Sequence, residues 1–167
     1  MTQSFLLLLD TSGSMYGQKG EKIFGLNQAV TNLLEGLKTS APEGKLALIT
    51  FGRKTVFTDF APVSQITHTT YEAGGKSLFD EALSLADTVS ASAPSSDEMI
   101  TILISDGILR GNLSKIKTKI KLAGPAYAIA IGIDADYEQL AQFTESPSRV
   151  LPPHAAGDLA GYVLQRR

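Results

Sequence analysis

The stretch SFLLLLDTSGSM, residues 4–15, joins an unbroken apolar run to a loop of small polar residues. A continuous apolar run is typical of a parallel β-strand that is buried on both faces, so this one predicts a central strand of a sheet. The run ends at Asp10, and Ser12 and Ser14 follow on either side of Gly13. A glycine turn at this place lets one carboxylate and two hydroxyls converge beyond the end of the strand.

On the C-terminal side of this strand, apolar runs alternate with segments of helical periodicity. A helix is predicted from Glu21, and two strands over residues 45–51 and 55–60 are close enough to form a hairpin. The other predicted elements are a helix over 77–89, a strand over 98–106, a short helix over 113–121, a strand over 124–133, a helix over 136–143, an edge strand over 149–152 and a helix over 155–165. This order predicts a single α/β domain, residues 1–167, with a doubly wound, mostly parallel sheet, one antiparallel edge strand and helices on both faces.

Composition excludes several classes of function. The chain has 167 residues, 43% of them hydrophobic, which suits one domain with its own core. A net charge of −2 and a pI near 5.7 leave no basic field for nucleic acid or an anionic membrane. Cysteine is absent, so disulfides and thiolate metal sites are excluded, and the first apolar run is too short to span a membrane. We therefore expect a cytoplasmic protein with neither nucleic acid nor membrane as its partner.

Three polar segments follow strands or open helices of the predicted sheet. They are DTSGSMYG after the first strand, GGKSLFDE at the start of the middle helix and SDG after the fourth strand. Doubly wound sheets bind ligands beyond the carboxyl ends of their strands, where the strand order reverses. Asp106 ends the strand expected beside the first, and its carboxylate and that of Asp10 would repel each other unless a cation lay between them. Mg²⁺ prefers such oxygen ligands, and Ser77 offers a third hydroxyl.

Taken together, these motifs resemble the metal-ion-dependent adhesion site of von Willebrand factor type A domains. The resemblance rests on DTSGSM at residues 10–15, on the hydroxyl of Ser77 at the opening of the helix that contains EAL, and on SDG at residues 105–107. It covers nearly the whole chain, including AIAIGIDADYEQLAQF at residues 128–143, and is greatest for small stand-alone bacterial members, some of them linked to tellurite resistance and other stress operons. It implies a six-stranded sheet and a divalent cation, Mg²⁺ or another such as Mn²⁺ or Ca²⁺. The implied ligands are Asp10, Ser12, Ser14, Ser77 and Asp106.

The resemblance also implies a partner and no enzymatic activity. A cation held mainly by neutral hydroxyls remains electrophilic, so it attracts a carboxylate from outside the chain. We therefore expect a protein partner with an exposed Asp or Glu, and the resemblance to stress-associated members implies a kinase or phosphatase as one such partner.

The second loop departs from the threonine of the family pattern, and two alignments remain open. Aligning GGK with the family's GGT puts Lys76 in the ligand position, where its ammonium repels a metal or replaces it. Counting back from the Ala-Leu pair of the helix puts Ser77 there and keeps a hydroxyl. The second alignment is favoured because Ser77 and Asp80 also form a capping box.

The main alternative is a P-loop-like nucleotide-binding protein or a Mg²⁺-dependent phosphoryl-transfer enzyme. Gly75, Lys76 and Ser77 resemble the end of a phosphate-binding loop, and Asp106 would then bind magnesium. Against this, Thr70 stands where such a loop requires glycine, and DTSGSM would have no role. In the loop near residue 134, Asp136 is expected to cap the helix that follows it.

Overall fold

The computed structural model describes residues 2–76, 79–93, 98–109, 124–159 and 161. The strands within these ranges are β1 (Gln3–Asp10), β2 (Lys45–Phe51), β3 (Thr55–Pro62), β4 (Glu98–Ser105), β5 (Ala126–Ala130) and β6 (Val150–Leu151). The α-helices are α1 (Glu21–Ser40), α2 (Phe79–Ser92) and α3 (Tyr137–Thr144). Short 3-10 helices cover Gly13–Tyr16, Val63–Gln65, Pro147–Arg149 and Pro153–Asp158.

The strands form one six-stranded sheet in the order β3-β2-β1-β4-β5-β6. All neighbouring strands pair in parallel except β2 and β3, whose antiparallel pairing confirms the predicted hairpin at one edge. The strand order reverses at β1, which pairs with β2 on one side and β4 on the other. The crevice beyond the carboxyl ends of β1 and β4 is therefore the place where this architecture positions a ligand.

Helices cover both faces of the sheet, as predicted. All eight residues of β1 are buried, and their side chains alternate between the two faces. Leu7 and Leu9 pack with α1 and the 3-10 helix Pro153–Asp158, whereas Leu6 and Leu8 pack with α2 and α3. A polar side chain of this strand can therefore reach the crevice beyond the sheet only where the strand ends.

Two predicted helices differ from the structure or lie beyond what it describes. The predicted helix over 113–121 lies outside the described residues. The last helix was predicted to begin at residue 155, but Pro153–Asp158 form a 3-10 helix, and only Leu159 and Gly161 are described as α-helical after it. Pro152 and Pro153 lie at the start of this 3-10 helix, where a missing backbone N–H breaks no intrahelical hydrogen bond. Within the described part of the chain, no helix is both long and apolar enough to cross a membrane.

Gly36→Ala tests the packing of α1 against the 3-10 helix Pro153–Asp158. A Cβ at Gly36 would overlap the carbonyl oxygen of Gly157, whereas a Cβ at Gly25 would make an ordinary contact of 3.6 Å with Ile131. We expect Gly36→Ala to lower the free energy of unfolding by about 1–3 kcal/mol, because the two segments must separate. Gly25→Ala, the matched control in the same helix, should be neutral or stabilising by up to about 1 kcal/mol. Urea unfolding measures both, and equal effects would contradict the packing.

Candidate functional site

The loop after β1 holds three of the predicted ligands side by side. One carboxylate oxygen of Asp10 accepts hydrogen bonds from the backbone N–H of Ser12 at 3.0 Å and from its hydroxyl at 2.5 Å. The hydroxyl oxygens of Ser12 and Ser14 lie 3.3 Å apart. Asp10 is fully buried, and Ser12 is almost so. The turn at Gly13 thus brings the carboxylate and both hydroxyls together, as the spacing predicted.

Ser105, the last residue of β4, holds the other side of the Asp10 carboxylate. Its hydroxyl donates to the second oxygen of Asp10 at 2.6 Å and accepts from the N–H of Gly107 at 3.0 Å. Leu9 pairs with Ile104 in the parallel register, so Asp10 and Ser105 are the next residues along their two strands. The sequence analysis assigned Ser105 no role, although its position beside Asp106 at a strand end was a usable signal.

The Asp10 carboxylate has an unusual acidity. Burial raises its pKa to about 6, although the hydrogen bonds from Ser105 and Ser12 act in the opposite direction. The negative charge of Asp106 raises this pKa further. A buried carboxylate without a charged partner favours either a proton or a cation nearby.

Asp106 is also fully buried, but it has a cationic partner. One of its oxygens accepts from the N–H of Ile108 at 3.0 Å, and the other accepts from the ammonium of Lys22 at 3.1 Å. The same ammonium donates to Asp134 at 2.9 Å, so Lys22 bridges the two carboxylates. Burial lowers the pKa of Lys22, but its hydrogen bonds to Asp134 and Asp106 outweigh this and hold the pKa above its usual value. The hydrogen bond from Lys22 in turn lowers the pKa of Asp134.

Lys22 and Asp134 have no role among the residues predicted from the sequence. A signal for Lys22 existed, because it lies four residues before Leu26 and therefore on the core-facing side of α1. A lysine on such a face needs a negatively charged partner. The partner itself was not visible, since Asp106 lies 84 residues further along the chain.

The second loop is attached to the first through its backbone. The N–H of Gly13 donates to the carbonyl of Gly75 at 3.0 Å, and the N–H of Gly74 donates to the carbonyl of Thr11 at 2.9 Å. Gly75 has a φ of 86°, a conformation that favours glycine. Lys76 is exposed, and Ser77 lies outside the described residues. The choice between Lys76 and Ser77 as the second-loop ligand therefore stays a prediction.

These contacts disfavour the P-loop interpretation. A phosphate-binding loop offers free backbone N–H groups to the phosphates and follows a strand directly. Here the N–H of Gly74 is already bonded to Thr11. The loop also follows β3, the antiparallel edge strand, only after residues 66–76, which form neither helix nor strand.

The loop between β5 and α3 also lies at the carboxyl ends of the strands. The backbone N–H of Asp136 donates to the carbonyl of Asp106 at 2.8 Å, which attaches the loop to the end of β4. The side chain of Asp136 accepts from the N–H of Gln139 at 3.0 Å, so the predicted helix cap is confirmed.

The chemistry of these donors fits a small divalent cation. Within the described ranges, no group of three or more His, Cys, Asp or Glu side chains is placed to hold a metal. The candidate set is instead two carboxylates and neighbouring hydroxyls, all of them oxygen donors that Mg²⁺ accepts. Ser12 donates its hydroxyl proton to Asp10, so its oxygen can only accept, with one lone pair toward the hydroxyl of Ser14 at 3.3 Å and the other available to a cation. Asp106 directly follows β4, its charge acts on Asp10, and it shares its carboxylate with Lys22.

Comparison with known families assigns the chain to a family. The sequence profile of the von Willebrand factor type A domain family matches residues 5–108. The comparison with curated protein sequences gave no match. The chain belongs to the von Willebrand factor type A domain family, as the resemblance implied.

Solved structures share the architecture at low sequence identity. The manganese-loaded TRAP protein of Plasmodium vivax is 17% identical with a TM-score of 0.74, covering 95% of this chain and 71% of that one. A von Willebrand factor type A protein from Catenulispora acidiphila is 16% identical with a TM-score of 0.66, covering 95% and 41%. The pilus adhesin SpaC of Lactobacillus rhamnosus GG is 11% identical with a TM-score of 0.71, covering 99% of this chain but only 30% of the adhesin. At these identities the similarity establishes the fold.

In a buffer that contains a chelator, Asp10 should make the protein less stable as the pH rises. Its pKa is about 6 in the folded protein against an ordinary value of 3.8, so the folded state binds more protons between these values. The free energy of unfolding that Asp10 contributes is therefore greatest near pH 4 and is lost as the pH approaches and passes 6. We expect the difference between wild type and Asp10→Asn to change by up to about 3 kcal/mol over this window. Urea unfolding measures it, and a flat difference would contradict the assignment.

Proposed function

We propose that this chain is a metal-dependent protein-binding module that holds a divalent cation at the carboxyl ends of β1 and β4. The observation that carries the proposal is Asp10, a fully buried carboxylate at the end of the central strand, hydrogen-bonded to Ser12, whose hydroxyl oxygen lies 3.3 Å from that of Ser14. Family membership supports it, and so does the manganese in the TRAP structure. Mg²⁺ is the proposed cation, with Mn²⁺ or Ca²⁺ as alternatives.

The chain's own residues would supply both neutral oxygen ligands and negative charge to the cation. Ser12, Ser14 and Ser77 would offer neutral hydroxyl oxygens, while Asp10 and Asp106 would supply negative charge. By accepting the hydroxyl proton of Ser12, Asp10 orients the lone pairs of that oxygen away from itself. The bound cation would supply an electrophilic position for a carboxylate from outside the chain. The partner therefore offers an exposed Asp or Glu.

Exposed apolar side chains around the site support a protein as the partner. Most of the large exposed hydrophobic residues in the described part of the chain lie in or beside the loops at this edge of the sheet: Tyr16, Phe24, Ile108, Ile133 and Tyr137. We call these five residues the apolar rim. Protein interfaces are enriched in such side chains, and a cluster of them around a binding site marks a contact surface. We propose a partner whose carboxylate is surrounded by apolar residues.

Finer assignments rest on the resemblance of the sequence alone. We propose a kinase or phosphatase as the partner, in the cytoplasm and in the context of a bacterial stress response such as tellurite resistance. We propose no enzymatic activity, because both oxygens of Asp10 accept hydrogen bonds from Ser12 and Ser105 and neither is presented as a nucleophile.

Titration with Mn²⁺ or Mg²⁺ should stabilise the folded protein. A ligand that binds only the folded state adds about 2.7 kcal/mol at 100 times its dissociation constant. Asp10→Asn and Ser14→Ala should abolish or strongly reduce the rise in melting temperature, whereas the remote, exposed Ser64→Ala should keep it. A full shift in both site variants would remove this loop from the metal site.

The same titration decides between the two second-loop residues. Ser77→Ala should weaken metal binding if Ser77 is a ligand, and Lys76→Ala should then leave it unchanged. A gain of metal affinity in Lys76→Ala would instead show that the ammonium of Lys76 replaces the cation.

Partner binding should depend on both the cation and the apolar rim. Captured from its native cell by the immobilised chain, the partner should be released by chelator and should fail to bind Asp10→Asn.

The fully exposed Ile133 offers a separate test: Ile133→Ser should weaken partner binding but leave the metal-dependent thermal shift intact. Thr39→Ala, at the far end of α1, is the control. Reciprocal coupling between cation and partner of about 1–3 kcal/mol is expected, and capture that is indifferent to chelator would contradict the mechanism.

A further inference from the structure

Lys22 places a positive charge inside the candidate metal site. It lies in the first turn of α1, is only 7% exposed, and directs its ammonium between Asp106 at 3.1 Å and Asp134 at 2.9 Å. Asp106 is fully buried, whereas the side chain of Asp134 is 57% exposed. The ammonium therefore has one acceptor at the site and a second acceptor at its margin.

A divalent cation bound at the site would be repelled by this ammonium. Like charges a few ångströms apart in a partly buried site repel each other strongly, because little water screens them. The oxygen of Asp106 that Lys22 contacts is also an oxygen that a divalent ion would attract. Asp134 offers the ammonium a place to remain paired if Asp106 turns toward the metal.

We propose that Lys22 sets the metal affinity of this site by competing for Asp106, with Asp134 holding the ammonium when a cation binds. This inference rests on the proposed metal site and explains how that site would depend on a partner. With Asp10, Asp106 and Asp134 ionised, the three carboxylates balance the charge of a divalent cation together with that of Lys22. A partner carboxylate that contacts the cation would take the place of the Asp106 oxygen that Lys22 holds, so the free chain holds metal weakly and the complex holds it tightly.

Mn²⁺ affinity, measured from the electron paramagnetic resonance signal of the free ion, tests the competition. Lys22→Met should bind Mn²⁺ at least about tenfold more tightly than wild type, because the repulsion is gone. Lys19→Met removes the same charge from an exposed position nearby, where solvent screens it, and should change the affinity by less than about twofold.

Asp134→Asn leaves Lys22 and Asp106 in place and therefore gives a second measurement. The ammonium would then be held by Asp106 alone, and Mn²⁺ should bind several-fold more weakly than to wild type. The double variant Lys22→Met with Asp134→Asn should match Lys22→Met within about twofold if Asp134 acts through the ammonium. In Lys22→Met the buried carboxylate of Asp106 loses its cationic partner. The melting temperature of this variant should therefore fall in chelator, and Mn²⁺ should restore it.

The outcomes separate this inference from the proposed function. If wild type binds Mn²⁺ and neither Lys22→Met nor Asp134→Asn changes the affinity, the competition is overturned and the metal site stands. Weaker binding by Lys22→Met also overturns it and makes Lys22 a residue that positions Asp106. If Lys22→Met binds Mn²⁺ and wild type does not, the competition is supported and the metal-dependent function is overturned. If no variant binds Mn²⁺, both are overturned.

Discussion

Burial of β1 on both faces is the constraint on which the rest of this structure depends. The strand pairs with β2 and β4 and contributes apolar side chains to both layers of the core. Water has no access along it, so an ionisable group is tolerated only where the strand ends and loops can supply hydrogen bonds. Asp10 lies at that point, where Ser105 at the end of β4 holds its carboxylate and Gly74 and Gly75 before α2 bond to the loop that follows it.

The two buried aspartates are stabilised in different ways. Asp10 is surrounded by dipoles, namely the hydroxyls of Ser12 and Ser105 and a backbone N–H, and its raised pKa shows that they compensate its charge only in part. Asp106 has a full positive charge beside it in Lys22. A metal cation would therefore stabilise the charge of Asp10, whereas the charge of Asp106 is already balanced by Lys22. This asymmetry is why the competition at Asp106, rather than the number of oxygen donors, would decide how tightly a metal is held.

Backbone contacts between the first and second loops give the site its shape. Because Gly13 and Gly74 bond directly to the opposite loop, the hydroxyls of the first loop have little freedom to move apart. The apolar rim lies around this rigid centre, so a partner would meet polar and apolar contacts on one face. Such a face combines specificity from a single charge interaction with contact area from exposed side chains.

Much of this architecture followed from local sequence patterns. The apolar run before Asp10, the helical spacing after Glu21 and the short hairpin at residues 52–54 are signals that neighbouring residues carry among themselves, so the strands, α1 and the antiparallel edge were predictable. The grouping of Asp10 with Ser12 and Ser14 was equally local. The α-helix predicted from residue 155 was wrong over residues 155–158, where the chain forms a 3-10 helix.

Only the tertiary structure decided which residues meet across the strand ends. Ser105 reaches Asp10 over 95 residues, and Lys22 reaches Asp134 over 112. These contacts depend on the order and register of β1, β4 and β5 and on the rotation of α1 about its axis, which no single segment encodes. Local sequence patterns were enough to predict the six strands, α1 and the polar loop after β1. The charge balance of the site came from the fold, because the energy of an ion pair depends on distance in space and on burial rather than on separation along the chain.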